Sequence, residues 1–347
     1  MSGGEETFGV AIDVHGTARS KITGWERYAL SVAGAVERMA GPGVDITRVG
    51  GRRQSEGRLS YALDSLAWFE MGAGKAVRRS GADVYHATTF PPGVMAEGVK
   101  IVWTLHDDLI LGGHREWARS GGMLWQRLAK ARLAEIDLFV VQSETTKEEV
   151  LALGIDESLV RIVRASTKRL GAATRRPEIC KTIGTGEIGE DFVLVVGTLE
   201  ERKNLVEVGR ICEEAGLDVL FVGGNSGVDT TTLGQRAFET GRISDGELAW
   251  CYDNAVALLS ASFYEGVDLP VFEAIARGLP VVASDIGVHA ELGGEKVSLY
   301  SIGDIDGGVR SLLEAAGQGR GVGEELLLSE EELGLAYLDV YREAVEL

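Results

Sequence analysis

The sequence predicts an α/β protein built on doubly wound parallel sheets. Short apolar segments alternate with segments of helical period along the chain, an order typical of parallel sheets covered by helices on both faces. Several apolar segments are continuous runs, such as LFVV at 138–141 and VLVV at 193–196, which indicates strands buried on both faces. The 347 residues correspond to about two domains at roughly 150 residues each.

The two halves of the chain supply separate sets of elements. The predicted strands of the first half are Phe8–Ile12, Val44–Val49, Asp83–His86, Ile101–Leu105, Leu138–Val141 and Arg161–Val163. Those of the second half are Phe192–Val196, Leu217–Val222, Ala255–Leu259, Val281–Ala283 and Val297–Tyr300. The predicted helices between them are Gly24–Met39, Met123–Glu135, Thr145–Leu153, Asn204–Glu214, Ser244–Asn254 and Val271–Arg277.

The alternation is interrupted over residues 167–190. This segment is rich in glycine, contains Pro177 and shows no clear period, so we interpret residues 168–190 as a linker. The predicted domains are therefore residues 1–167 and 191–324. The C-terminal segment 325–347 is predicted to be helical, because Leu333, Tyr337, Val340 and Tyr341 fall on one face.

Charge and cysteine content exclude several classes of protein. With 35 Lys and Arg against 53 Asp and Glu, the formal net charge is −18, which argues against a nucleic-acid-binding protein but allows a local basic pocket. The three cysteines, Cys180, Cys212 and Cys251, form no CxxC pair, so neither a disulfide framework nor a zinc ribbon is predicted. With no signal-peptide pattern and no apolar run of about 20 residues, the expected location is cytoplasmic.

The strongest chemical pattern is SFYEGVDLPVFEAIARGLP at 262–280. A strand is predicted to end near Leu259, and the loop after it carries Glu265 and Gly266 before a helix begins at about Val271. The first N–H groups of that helix attract an anion, and Gly266 allows the backbone to approach it closely. Glu265 and Glu273 beside an anion site are expected to accept hydrogen bonds from sugar or ribose hydroxyls. The alternative is that Glu273 only stabilises the helix N-terminus electrostatically.

A second pattern, VVGTLEERKN at 195–204, places two cations after a buried strand and a glycine turn. Arg202 offers a bidentate fork and Lys203 a compact charge, and both suit a diphosphate. The alternative is an ordinary surface pair.

Together these two patterns resemble the family-4 glycosyltransferases, which have the GT-B fold. FYEGVDLPVFEAIARGLPVVASD is similar to the nucleotide-sugar motif of that family, and VVGTLEERKN is similar to its G-T-x-E-P-R-K-N form. The resemblance implies that Glu273 holds the ribose hydroxyls and that Glu265 is a catalytic residue beside the transferred sugar. It also implies that Lys203 and Arg202 neutralise the diphosphate of the donor.

The resemblance extends to other donor-binding positions. It assigns Gly266, Val267 and Leu269 to the donor site, with Val267 and Asp268 standing where the family usually has Phe and Gly. The segment 241–243 is similar to the family's G-x-[VI] strand, whose backbone meets the base, and this places Ile243 in the donor site.

The N-terminal half is similar to the family at two further places. TGWERY at 23–28 resembles the family's T-G-I-G-R-Y, so Gly24 is expected near the donor phosphates. IVWTLHDD at 101–108 places His106 at the end of a strand, where the matching histidine of the family contacts the donor sugar. His106 is therefore a predicted catalytic residue, although a lone histidine is more often structural. We interpret Asp107 as a loop cap and predict no metal site.

As a whole, the resemblance implies two Rossmann-like domains facing a central cleft. The first would bind a hydroxyl acceptor (a glycan, a lipid-linked glycan or a small natural product), and the helix at 325–347 would pack back on it. The second would bind a nucleotide-diphosphate sugar. The implied activity is transfer of a hexose with retention of anomeric configuration, without metal or any further cofactor. A nucleotide-sugar epimerase, a sugar phosphorylase and an inactive nucleotide-sugar-binding protein are the alternatives.

One segment is basic despite the acidic total. Some family members dock on membranes with a basic amphipathic helix of the first domain, and Arg115, Arg119, Arg127, Lys130 and Arg132 could form one. The net charge of −18 favours an ordinary solvated helix instead. Peripheral membrane contact is therefore not the favoured interpretation.

Overall fold

The computed structural model describes residues 7–17, 24–50, 58–93, 95, 97–114, 122–166, 170–179, 181–182 and 187–347. Thr23 of the TGWERY pattern and Arg115 and Arg119 of the basic segment lie outside these residues. The chain divides into two compact units. The first is Met1–Ser166 together with Leu328–Leu347, and the second is Thr167–Leu327.

The first unit is built on a six-stranded parallel sheet. Its strands are β1 (Phe8–Asp13), β2 (Val44–Val49), β3 (Val84–Ala87), β4 (Lys100–Thr104), β5 (Leu138–Val141) and β6 (Val160–Ile162), in the spatial order β2-β1-β3-β4-β5-β6. All four residues of β5 are buried, as the LFVV run predicts. The predicted strands of this half are confirmed to within one residue at each end.

Helices cover this sheet, and two of them were not anticipated from the sequence. They are α1 (Gly24–Met39), α2 (Arg58–Ala67), α3 (Ala73–Ser80), α4 (Gly122–Ala131) and α5 (Glu144–Ala152). One π-helical turn, Trp68–Gly72, joins α2 to α3. α5 begins where the Ser143 hydroxyl accepts a hydrogen bond from the N–H of Thr146, which caps the helix.

The second unit is built on a seven-stranded sheet. Its strands are β7 (Lys181–Thr182), β8 (Phe192–Val196), β9 (Asp218–Val222), β10 (Ala237–Gly241), β11 (Ala257–Ser260), β12 (Val281–Ser284) and β13 (Val297–Tyr300), in the order β13-β12-β11-β8-β9-β10-β7. All are parallel except the edge strand β7, which pairs antiparallel with β10. The segment interpreted as a linker thus contributes this edge strand and belongs to the second unit.

In the described part of the second unit, five helices pack on this sheet. They are α6 (Leu205–Ala215), α7 (Asp245–Asn254), α8 (Leu269–Ala276), α9 (Gly287–Gly293) and α10 (Ile305–Gln318). Neither α9 nor α10 was predicted from the sequence, and the Gly307–Gly308 pair of α10 is unfavourable in a helix. The glycines serve close packing, since a Cβ on Gly308 would lie 2.5 Å from Ile211 Cδ1.

The C-terminal helix α11 (Glu330–Glu346) packs on the first unit, against α1. Ser329 and Glu332 form a capping box at its start. The face predicted from the sequence is buried at Leu333, Tyr337 and Tyr341. The Tyr337 hydroxyl lies 2.7 Å from that of Tyr28 on α1. A buried hydrogen bond therefore joins α11 to α1 in the core of the first unit.

The strand order of each sheet reverses at one strand, and ligands commonly bind near such a point. In the first sheet the order reverses at β1, which lies between β2 and β3, and in the second it reverses at β8, between β9 and β11. Ligands of doubly wound sheets bind outside the carboxyl ends of the strands at such a reversal.

None of the helices in the described ranges has the length and apolar character needed to span a bilayer.

The core of the second unit provides a matched stability prediction. Leu312 on α10 is fully buried, whereas its neighbour Leu313 is 48% exposed. Leu312→Ala should lower the free energy of unfolding by about 2–5 kcal/mol, because it deletes buried apolar volume. Leu313→Ala should change it by less than about 0.5 kcal/mol. Denaturant unfolding measures both; equal effects would contradict the packing of α10.

Candidate functional site

The candidate site lies at the carboxyl ends of β8 and β11, where the order of the second sheet reverses. The loop after β8 carries Arg202 and Lys203, and the loop after β11 carries Glu265 and Asp268. The two loops are tied by the backbone, because the N–H of Phe263 donates to the carbonyl of Arg202 at 2.9 Å. Two segments sixty residues apart in sequence therefore form one site.

Both predicted cations contact Glu265. Arg202 Nη1 lies 2.6 Å from Glu265 Oε2, and Lys203 Nζ lies 2.8 Å from Glu265 Oε1. Arg202 also pairs with Glu200 at 2.8 Å and donates to the carbonyl of Tyr264. The side chain of Glu265 is 8% exposed, so this carboxylate is a buried partner of two cations.

Asp268 holds Lys203 from the other side. Its Oδ1 lies 3.1 Å from Lys203 Nζ, and its Oδ2 accepts a 2.5 Å hydrogen bond from Ser260 and lies 3.1 Å from His289 Nε2. The Asp268 side chain is 1% exposed. Its backbone is left-handed, with φ +55° and ψ +62°, a conformation that favours glycine.

The charges in this cluster stabilise one another. Burial favours the neutral forms, but the nearby carboxylates raise the pKa of Lys203, and Lys203 with Arg202 holds the pKa of Glu265 below its ordinary value. Burial likewise opposes ionisation of Asp268, yet Lys203 and His289 hold the pKa of Asp268 far below its ordinary value. Arg202, Lys203, Glu265 and Asp268 are thus all ionised at neutral pH.

Gly197 lets Lys203 reach this position. It follows β8 with φ +133°, and a Cβ there would lie 3.0 Å from Lys203 Cε. Gly266 in the facing loop is half-buried.

Glu273 lies in the second turn of α8 and is half-buried. Its Oε2 accepts a 2.6 Å hydrogen bond from the hydroxyl of Tyr252 on α7. Burial and the Glu273 carboxylate raise the pKa of Tyr252 well above its ordinary value, so the phenol stays protonated and donates to Glu273.

Three further predicted donor residues lie in the second unit. Val267 is buried, and Leu269 is half-buried as the first residue of α8, two residues before the predicted start. Ile243 is half-buried but lies outside a strand, because β10 ends at Gly241 and α7 is capped at Ser244. The G-x-[VI] segment is therefore a strand end followed by a turn.

His106 lies in the first unit, two residues beyond β4. Its Nε2 donates to the carbonyl of Thr88 at 2.8 Å, which fixes the proton on that nitrogen in the neutral ring. The imidazole ring stacks on the Trp25 ring with 5.6 Å between their centroids, and it contacts the Tyr28 ring edge-on with 5.1 Å between centroids. Burial lowers the pKa of His106, so the imidazole is neutral at pH 7.

Two neighbouring predictions in the first unit have different outcomes. Asp107 accepts a hydrogen bond from the N–H of Leu109 at 3.1 Å, as expected of a loop cap. Gly24 is the exposed first residue of α1, and a Cβ there would meet no atom of the described residues within 4 Å. Packing against this part of the chain therefore does not require glycine at position 24, and its proximity to phosphate stays a prediction.

Two partners of Asp268 were not predicted from the sequence. Ser260 is the last residue of β11 and lies eight residues before Asp268, whereas His289 lies on α9, which follows β12. The signal for Ser260 was its place at the end of the apolar run ALLS, before the loop that carries Asp268. No spacing rule links His289 to Asp268, because α9 and that loop meet only through the parallel order of β11 and β12.

Within the described ranges, no three His, Cys, Asp or Glu side chains form a group that could hold a metal ion.

The chain matches two family models and several solved structures. The family model described as Glycosyltransferase Family 4 matches residues 26–165, and that described as Glycosyl transferases group 1 matches residues 190–316. Sucrose-phosphate synthase from Thermosynechococcus elongatus matches 97% of this chain and 98% of its own at a TM-score of 0.70 and 17% identity. The structure of Anabaena HepE in complex with UDP and glucose matches 98% of this chain and 100% of its own. The TM-score of this match is 0.62 and the sequence identity is 14%.

Curated relatives are more similar in sequence. The serotype-specific mannosyltransferase WbdA of Escherichia coli is 27% identical over 320 residues, which cover 80% of this chain and 39% of WbdA. The O-antigen chain mannosyltransferase B of Escherichia coli is 27% identical over 131 residues, 34% of each chain. The chain thus spans about two fifths of the length of WbdA.

These matches, with two doubly wound units, define a protein of the GT-B fold. The two family models together cover most of the chain. It belongs to the family-4 glycosyltransferases.

The Asp268–His289 contact makes a measurable prediction. Burial favours neutral imidazole, but the carboxylate raises the pKa of His289 above its ordinary 6.5. Asp268→Asn should therefore lower the titration midpoint of His289, measured by NMR of the imidazole. In the wild type, the stabilisation from this pair is full below about pH 6.5 and is lost as pH rises through the folded-state pKa. An unchanged midpoint in the variant would contradict the contact.

Proposed function

We propose that this protein is a glycosyltransferase that moves a sugar from a nucleotide-diphosphate sugar to a hydroxyl acceptor. The observation that carries the proposal is the pair Arg202 and Lys203, held at the reversal of the second sheet beside Glu265. Family membership gives this site its ligand class. We assign the donor nucleotide to the second unit and the acceptor to the first.

The residues of the site supply the chemistry that transfer needs. The acceptor oxygen forms a bond to the anomeric carbon, the bond from that carbon to the diphosphate breaks, and the hydroxyl proton leaves with the diphosphate. Negative charge grows on the diphosphate as its bond breaks, and Lys203 and Arg202 stabilise it by charge and hydrogen bonding. Fixed cations of this kind reduce the need for a metal ion, so we propose metal-independent transfer.

Three residues orient the donor in this proposal. Glu273, held by Tyr252, binds the ribose hydroxyls, and Glu265 lies beside the transferred sugar. His106 contacts the sugar near the reacting carbon, a role that rests on the family resemblance. We further propose retention of anomeric configuration, by attack on the face that the leaving group departs from.

Several features of the proposal rest on sequence and family alone. The transferred sugar is a hexose, and the names of the curated relatives make a mannosyl donor the first to test. The cytoplasmic location stays a prediction.

A donor screen tests the function. Purified protein is incubated with UDP- and GDP-hexoses in EDTA, with simple glycosides as hydroxyl acceptors. We expect release of nucleoside diphosphate coupled to a glycoside product whose anomeric configuration, read by proton NMR, equals that of the donor. Isomerised nucleotide sugar without a glycoside would indicate an epimerase. Sugar 1-phosphate formed with added phosphate would indicate a phosphorylase, and binding without turnover an inactive protein.

The role of Glu273 has its own test. Glu273→Ala should weaken binding of the preferred nucleotide sugar by at least about tenfold, because charged hydrogen bonds to the ribose hydroxyls are each worth about 1.5–3 kcal/mol. Glu295→Ala, which removes an exposed carboxylate from the same unit, is the matched control and should leave affinity unchanged. Calorimetry measures both, and equal affinities for the two variants would refute the assignment.

A further inference from the structure

Three hydrogen-bond donors converge on the carboxylate of Asp268. They are Ser260 Oγ at 2.5 Å, Lys203 Nζ at 3.1 Å and His289 Nε2 at 3.1 Å. A lysine, an imidazole and a hydroxyl directed at one point form the kind of donor set that binds an oxyanion. The second unit thus contains an anion site, and a side chain of the protein itself fills it.

Local structure gives no other reason for an aspartate at this position. Asp268 precedes α8 as its N-cap residue, yet its side chain makes no capping hydrogen bond. Its backbone has φ +55°, which a glycine would adopt more easily than an aspartate. Neither the backbone conformation nor helix capping therefore explains an aspartate at position 268. Its two carboxylate oxygens contact the three donors of the anion site instead.

The charge balance explains what this carboxylate does to an incoming ligand. The cluster contains two permanent cations, Arg202 and Lys203, against the carboxylates of Glu200, Glu265 and Asp268. A diphosphate approaching these residues meets no excess of positive charge. To bind Lys203 it must take the place of a carboxylate that already holds the ammonium.

We propose that Asp268 is an intramolecular occupant of the phosphate subsite, which lowers the affinity of the protein for diphosphates by competing for Lys203 and His289. The inference rests on the proposed function for its ligand class. It deepens that function by naming the residue that sets diphosphate affinity. A weakly held diphosphate leaves readily after transfer, and Asp268 then returns to Lys203, which stays correctly placed for the next donor.

The test removes the internal anion and measures binding of an external one. Inorganic pyrophosphate, UDP and GDP are titrated by calorimetry into the wild type, Asp268→Gly and Asp268→Asn. Asp268→Gly should bind pyrophosphate at least about tenfold more tightly, a change of about 1.4 kcal/mol. Asp268→Asn should show a smaller gain, because the amide removes the charge but keeps the side-chain volume.

A charge-matched control separates this site from general electrostatics. Glu324 pairs with Lys296 at 2.6 Å in the same unit, and both side chains are about half-exposed. Glu324→Gln also removes one negative charge and should leave pyrophosphate affinity unchanged. An equal gain in this control would attribute the effect to net charge and overturn the inference.

The remaining outcomes each decide the question. Pyrophosphate affinity of Asp268→Gly that equals or falls below that of the wild type overturns the inference. If thermal unfolding shows that Asp268→Gly does not fold, Asp268→Asn decides in the same way. A gain in affinity in a protein that transfers no sugar supports the inference and refutes the proposed function. Transfer by the wild type without a gain in the variants refutes the inference alone.

Discussion

The contact of Lys203 with the carboxylates of Glu265 and Asp268 is the interaction on which the candidate site depends. Removing ions from water costs several kcal/mol each, and this cost is offset only when every buried charge keeps its partners. The loops after β8 and β11 are therefore held together by mutual charge compensation as well as by the backbone contact between Phe263 and Arg202. The same few side chains thus set both the shape and the charge of the site. A substitution that alters the charge of one of them is therefore expected to alter the arrangement of the two loops as well.

One buried hydrogen-bond network of the first unit is built differently, from neutral groups. In it the Tyr337 hydroxyl contacts those of Tyr28 and Thr104, and His86 lies between Thr104 and Tyr341. Burial lowers the pKa of His86 to about 3, so this imidazole stays neutral. Neutral networks of this kind respond little to salt, whereas the site of the second unit is built from ions. This network of the first unit thus differs from the charged site of the second unit in how its polar groups are stabilised.

The sequence predicted the fold well because strands buried on both faces leave an unmistakable apolar signal, as at β5 and β8. It located Arg202, Lys203 and Glu265, since these lie in short motifs directly after such strands. It did not locate His289, because contacts between loops of neighbouring parallel strands depend on strand order rather than on spacing. It also missed α10, whose glycine pair is unfavourable for an isolated helix and is explained only by packing against Ile211. Tertiary packing decided each of these cases.

The position of α11 has a consequence for the order in which the chain folds. Domains fold as units during synthesis, usually with the N-terminal one first. Here the first unit includes Leu328–Leu347, which follows the whole of the contiguous second unit in the sequence. Until Tyr337 and Tyr341 arrive, the buried polar groups of His86 and Thr104 lack these partners. The first unit therefore completes its native core only after the whole of the second unit has been synthesised.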